Sequence, residues 1–226
     1  MTISLVQLAL AVGAFLLTHF IMSGPLRKSL IGALDEQGFL LLYSLVSICL
    51  LGAAIVLFAR SPDDHLLWDG THPVAWTLAS LLTILATALF LRSFQGNPAL
   101  PGVKAAGLAT VIPSGVYTIT RHPMMWAISL WAFGHIVAAP SLRVLILMGG
   151  MTVLALLGSH LQDKRKLAGN TREFGPWQRR TSFWPQLQNV GKLKLTWITA
   201  LVIWFLATMV HWELYGVPAG LWMWLV

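Results

Sequence analysis

Histidines lie inside the apolar stretches of this sequence, where ionisable side chains are costly and usually functional. An imidazole in such a place either hydrogen-bonds within the helix packing or binds a metal ion. Haem iron needs only one or two such side chains as axial ligands. The four embedded histidines are His19, His135, His160 and His211. No cluster of carboxylates accompanies them along the chain, which argues against a di-iron site.

The spacing of these histidines predicts which of them can meet. His135 shares one helical face with Trp131, whereas His122 lies 13 residues before His135 and points in a different direction. His19 is predicted near the inner end of its stretch, at a depth that differs from that of His135 by about 20 Å. His135 and His211 match better in depth, and so do His19 and His160. The spacing alone leaves the choice of a ligand pair open.

The single cysteine, Cys49, lies within an apolar run. One cysteine excludes a disulfide framework, a cysteine-rich zinc site, an iron–sulfur cluster and covalent haem attachment through C-x-x-C-H. Cys49 is interpreted as a small side chain of the helix packing.

The elements that must position the histidines are predicted to be transmembrane helices. Charged residues make up 10% of the chain and apolar residues 57%, whereas soluble domains carry about 25% charged residues. A helix that crosses the hydrocarbon core needs about 20 apolar residues. The predicted spans are residues 3–22, 39–59, 74–91, 124–139, 142–161 and 195–215. We therefore predict an all-α polytopic transmembrane bundle of about six helices, forming one domain over residues 1–226, with a tight helical hairpin at Pro140.

Lysine and arginine residues predict the orientation of the bundle. The segments after the first, third and fifth spans carry 2, 3 and 8 of them, so 13 of the 15 lie on one side. Positive residues stay on the cytoplasmic side, which places both termini outside and residues 162–194 inside. This distribution accounts for the net charge of +7 and favours contact with anionic membrane lipid. A nucleic-acid partner is not predicted, because no basic residues alternate with exposed aromatic residues on a soluble face.

The string GVYTITRHPMMWAISLWAFGHIV, from Gly115 to Val137, resembles the NnrU family of bacterial membrane proteins. It is also similar to the plant 15-cis-ζ-carotene isomerases of the same superfamily, and His19 with Ser23-Gly-Pro and the string Leu67-Trp-Asp-Gly support both resemblances. The resemblance implies a multi-pass protein of the bacterial inner membrane that binds haem b. His19 and His135 match the essential histidines of the isomerases and are the predicted iron ligands. Those enzymes are believed to isomerise a double bond of a polyene.

One position departs from the isomerase pattern. The isomerases carry a cysteine, proposed to be a redox-dependent ligand, three residues before the second histidine, and this chain has Ala132 there. A cysteine-ligand switch is therefore not available to this protein.

The segment Arg121-His122-Pro123 has a structural and a functional interpretation. Structurally, Pro123 suits the first turn of a helix and Arg121 reaches the headgroup layer. Functionally, the segment forms a cationic pocket for haem propionates or another anion on the cytoplasmic side, to which Arg165, Arg179 and Arg180 contribute bidentate contacts. The predicted cofactor-binding residues are Arg121, His122, Trp131 and Arg180.

The leading functional hypothesis is a haem b protein that performs redox-linked chemistry on a small or lipidic substrate. Isomerisation of a polyene and a role in nitric oxide and denitrification metabolism are the two possibilities that the resemblance implies. No catalytic residue is assigned from the sequence.

Two alternatives belong to other classes. Arg121-His122-Pro123 with Phe174-Gly175 resembles the isoprenylcysteine-type membrane methyltransferases, which predicts S-adenosylmethionine binding near His122, Phe174 and Trp177. Residues 163–166, read as Asp-Lys-Arg-Lys, stand where that family has paired glutamates. The second alternative is a non-enzymatic accessory protein of a respiratory complex.

Overall fold

The computed structural model describes residues 3–61, 66–95 and 107–224, and within these ranges it contains helices and no strand. The helices are α1 (Ile3–Ser23), α2 (Arg27–Arg60), α3 (Pro73–Arg92), α4 (Pro123–Ala138), α5 (Leu142–Gly169), α6 (Thr171–Arg180) and α7 (Thr196–Tyr215). Five of them, α1, α2, α3, α5 and α7, are long and apolar enough to cross a membrane, and α4 is a shorter apolar helix. The predicted all-α polytopic bundle is confirmed.

The helices pack side by side in the order α2, α1, α5, α4, α3, α7. α4 and α5 form the hairpin predicted at Pro140. We call the end of the bundle with residues 27–28, 92 and 162–194 the basic end, and the opposite end, with the tail 216–224, the distal end. α3 lies between α4 and α7, so the side chains that α4 and α7 direct over α3 can meet.

Local chemistry explains where several helices begin and end. Pro73 and Pro123 occupy the first positions of α3 and α4, where a helix has no use for a backbone N–H donor. The His72 ring caps α3 by accepting a hydrogen bond from the Val74 N–H at 3.3 Å. Gly216 ends α7 with a φ of 61°, the left-handed conformation that glycine adopts without steric cost.

Three elements differ from the sequence-based expectations. α5 runs to Gly169, eight residues beyond the predicted end of its span at residue 161. α2 begins at Arg27 rather than near residue 39, and Asp35 interrupts it with φ 61° and ψ −177°. The Asp35 carboxylate accepts the Gly38 N–H at 2.8 Å and so caps the second part of α2, which is the apolar part. α6 lies within the predicted loop 162–194. It was missed because ten polar and aromatic residues do not form an apolar run.

Candidate functional site

A cavity of about 330 Å³ lies at the distal end between α3, α4 and α7, and we call it the distal cavity. Its walls carry small residues and five aromatic side chains: Trp76, Trp131, His135, Trp204 and His211. Residues 217–220 of the tail close its outer end. Trp131 and Val217 on its rim are 39% and 48% exposed, so the cavity opens to the side of the bundle.

Two imidazole rings face each other across this cavity. The ring centroids of His135 and His211 lie 6.3 Å apart with an interplanar angle of 46°. Nδ1 of His135 lies 2.8 Å from the Trp131 carbonyl oxygen, and Nδ1 of His211 lies 2.7 Å from that of Ala207. A carbonyl oxygen only accepts, so each Nδ1 carries a proton and each Nε2 keeps its lone pair when the ring is neutral. Histidines that bind metals through Nε2 are usually oriented by such a bond.

Tryptophan side chains fix the walls around the two histidines. The Trp131 ring lies 4.5 Å from the His135 ring. Trp204 of α7 donates its indole N–H to the Thr83 hydroxyl of α3 at 2.8 Å. The indole N–H of Trp76 donates to the Gly220 carbonyl of the tail at 3.0 Å. These bonds tie α7 and the tail to α3, which keeps the distal cavity in one shape.

The Trp-Asp-Gly loop closes the distal end from the other side. Trp68 donates its indole N–H to the Val137 carbonyl at 3.0 Å. A Cβ atom on Gly70 would lie 1.9 Å from the Ala138 carbonyl oxygen, so only glycine permits this approach to the end of α4. The Thr71 hydroxyl and backbone N–H donate to the Asp69 carboxylate at 2.6 and 2.9 Å and lower its pKa. This motif, which helped to identify the family resemblance, therefore shapes the distal cavity.

His19 lines a different cavity, of about 300 Å³, between α1, α2, α4 and α5, which we call the basic-end cavity. Its ring packs 4.6 Å from Phe15 and 4.8 Å from Tyr43. α4 contributes Met125 and Ile128 to this cavity, and His135 lies about 10 Å farther along α4 than Ile128. The structure therefore does not bring the two predicted iron ligands into one cavity, and it places His211 beside His135 instead.

The Arg-His-Pro segment lies at the basic end in a buried charged cluster. Arg121 contacts Oδ2 of Asp163 through Nε at 2.7 Å and Nη2 at 2.6 Å, and His122 contacts Oδ1 through Nε2 at 2.8 Å. His122 and Asp163 are 6% and 4% exposed. The backbone N–H of Arg121 donates to the Ser182 carbonyl at 2.8 Å. The cluster thus joins the start of α4, the end of α5 and the segment after α6.

The predicted cofactor-binding residues therefore divide between the two ends of the bundle. Trp131 lines the distal cavity with His135. Arg121 precedes His135 by 14 residues, or about 21 Å of helix. Arg180 donates to the carbonyl oxygens of Leu108 and Ala109 at the basic end. The partners of these arginines are within the protein, whereas Trp131 faces open space.

The residues named for the methyltransferase alternative are part of the core. Phe174 and Trp177 of α6 are buried against Tyr117 and the neighbouring apolar side chains. Burial also raises the pKa of the Tyr117 phenol. His122 is held by Asp163. None of these three residues lines either cavity, so no observation favours a cofactor beside them.

Two residues of these sites were absent from the predicted sets of iron ligands and cofactor-binding residues. His211 was absent from the predicted ligand set, although its matching depth with His135 was a usable signal. Asp163 was not recognised as the partner of Arg121 and His122. Its signal was an acidic residue at the start of a strongly basic segment, directly after a predicted span.

Comparison with known proteins assigns the family. A model of the family described as NnrU protein matches residues 7–219, a range that includes most of α1 and all of α2 to α7. No curated protein and no solved structure gives a match. The matched range covers nearly the whole sequence, and the chain belongs to the NnrU family.

Proposed function

We propose that this protein binds haem b in the distal cavity, with His135 and His211 as the two axial ligands. The observation that supports this most directly is the separation of 6.3 Å between their ring centroids. Two imidazoles that bind one metal ion from opposite sides, each through nitrogen at about 2 Å, have ring centres about 6 Å apart. The bonds from each Nδ1 to a carbonyl also reserve Nε2 for a ligand.

The set of donors also fits haem better than a bare metal ion. In the part of the chain that the structure describes, no group of three His, Cys, Asp or Glu side chains could hold a metal. A structural zinc site needs four protein ligands and a catalytic one needs three. A porphyrin supplies its own equatorial nitrogens, so two histidines are sufficient. The cavity volume of about 330 Å³ lies at the lower end of the range of small-molecule sites, and the cavity is open at its rim.

The chain's own residues define what chemistry is possible there. Bound haem supplies one-electron redox chemistry. His135 and His211 would hold the group, and the indoles of Trp131 and Trp204 line the cavity beside them. The lateral opening supports a substrate that arrives through the hydrocarbon phase. We therefore propose a redox-linked reaction on an apolar substrate, a class that includes both a polyene and nitric oxide.

A haemin titration of the detergent-purified protein tests this proposal. We expect one haem per chain with a Soret band, and affinity reduced more than tenfold in His135→Ala and in His211→Ala, because each loses one axial ligand. His19→Ala and His160→Ala are matched controls, since neither residue lines the distal cavity. Unchanged affinity in His211→Ala would overturn the ligand pair. Loss of binding in His19→Ala would assign the haem to the basic-end cavity.

A further inference from the structure

The basic-end cavity has a polar and an apolar part. Its apolar walls come from α1, α4 and α5 and include Phe20, Ile128 and Leu154. Its polar lining groups lie toward the basic end and include Gln162 and Arg165. Several lining residues are partly exposed, so the cavity is open to the surface of the bundle, much of which is apolar. An occupant must therefore combine a polar head with a hydrocarbon body.

Arg165 gives the polar part its charge. One Nη of Arg165 donates to the Ser23 carbonyl at the end of α1. The ion pairs of the described residues involve Arg27, Arg121 and His122, and Arg165 has no carboxylate partner among them. A guanidinium has five N–H donors, and it binds phosphate with two of them at once. The cavity thus presents a cation to a ligand without a protein anion that would compete for it.

We propose that the basic-end cavity binds the headgroup of an anionic phospholipid, with the phosphate at Arg165. Arg165 lies near the end of α5, which runs to Gly169, between Lys164 and Lys166, and its exposed guanidinium suits the headgroup layer. Basic pockets between transmembrane helices bind such headgroups. The apolar wall of Phe20, Ile128 and Leu154 accommodates the adjoining acyl chain. A free phosphate would leave this wall uncovered.

Replacing Gly158 of α5 with a larger residue fills the basic-end cavity and leaves the charge of Arg165 in place. Gly158 lines the cavity, and a Cβ atom there would meet only Phe20, at 4.0 Å. A leucine side chain at this position extends into the cavity. Gly149 of the same helix is a matched control, because a Cβ atom there meets nothing within 4 Å and the residue lines neither cavity.

Native mass spectrometry in detergent, with phosphatidylglycerol and phosphatidylcholine of identical acyl chains, tests the proposal. We expect phosphatidylglycerol to be retained about tenfold more than phosphatidylcholine, a difference that corresponds to about 1.4 kcal/mol. Arg165→Gln should abolish this preference, and Gly158→Leu should lower the retention of both lipids. Arg172→Gln, an exposed charge on α6, and Gly149→Leu should behave like the original protein.

The contrary outcomes are distinct. Equal retention of the two lipids by the original protein, or an unchanged preference in Arg165→Gln, would overturn the proposal. Binding of glycerol phosphate as tight as that of phosphatidylglycerol would also overturn it, because a soluble anion would then be sufficient. The haem titration tests the distal cavity through His211→Ala, whereas the lipid measurement tests the basic-end cavity through Arg165→Gln and Gly158→Leu, so failure of one proposal is distinguishable from failure of the other.

Discussion

Replacing Asp163 with asparagine tests whether the Arg-His-Pro segment stabilises the fold or binds a cofactor. The Asp163 carboxylate is 4% exposed and lies 2.6–2.8 Å from three nitrogen atoms of Arg121 and His122. Asparagine keeps the shape of the side chain and removes its charge. The guanidinium of Arg121, whose side chain is only 10% exposed, then stays buried without a counter-ion.

The expected loss of stability follows from this geometry. Removing one partner of a buried ion pair typically costs 3–5 kcal/mol, because the other charge remains uncompensated. Arg121 retains a bond to the Thr181 carbonyl at 3.3 Å, and asparagine can still accept one hydrogen bond. We therefore expect a loss near the lower limit, about 3 kcal/mol in the free energy of unfolding.

The assay is reversible unfolding in mixed detergent micelles, followed by circular dichroism. Glu36→Gln is the matched control, because it also replaces a carboxylate by an amide. Glu36 is 72% exposed, and its Oε1 lies 3.7 Å from Nη2 of Arg27. Such a pair contributes less than about 1 kcal/mol. A loss below 1 kcal/mol for Asp163→Asn, equal to the control, would refute the structural role. Folded Asp163→Asn protein that binds no haem would show that the basic end belongs to the cofactor site.

Two further predictions concern the distal end. Gly134→Ala would place a Cβ atom 2.6 Å from the Thr83 methyl group and separate α3 from α4, so we expect the free energy of unfolding to fall by about 1–3 kcal/mol. Gly149→Ala is the control, because a Cβ atom there meets nothing within 4 Å and should not destabilise the protein. Equal unfolding free energies of the two variants would contradict the close packing of α3 and α4. The Thr71 hydrogen bonds lower the pKa of Asp69. They therefore stabilise the turn at every pH above the unfolded-state pKa of about 3.9. This stabilisation is lost as the pH falls through the lower pKa that Asp69 has in the folded protein. Hydrogen exchange at residues 66–72 should therefore accelerate in acid, and acceleration that persists unchanged in Asp69→Asn would contradict this cause.

The spans could be predicted because the length of an apolar run is a local property of the sequence. Pro73 and Pro123 mark helix starts by a similar local rule, and the predicted starts at residues 74 and 124 agree with the structure. The interruption of α2 at Asp35 could not be predicted, because it depends on where this part of α2 lies at the basic end of the bundle and not on a local sequence pattern. α6 was missed because its buried face consists of two aromatic residues held by neighbouring segments.

The site could be predicted only in part, because it depends on which helices become neighbours. His135 was identified from its place within a span, and its depth matched that of His211. That His211 rather than His19 lies beside His135 follows from the packing order, in which α3 brings α4 and α7 together. The partner of Arg121 and His122 lies about 40 residues away, at Asp163, and no local pattern connects them.

Electron paramagnetic resonance of the ferric, haem-loaded protein tests the central claim most directly. If the imidazoles of His135 and His211 bind one iron from opposite sides, the spectrum is that of a six-coordinate low-spin haem. His211→Ala should convert it to a high-spin signal, while His19→Ala leaves it low-spin. A high-spin spectrum of the original protein, or a low-spin signal that persists in His211→Ala, would contradict the proposed ligand pair.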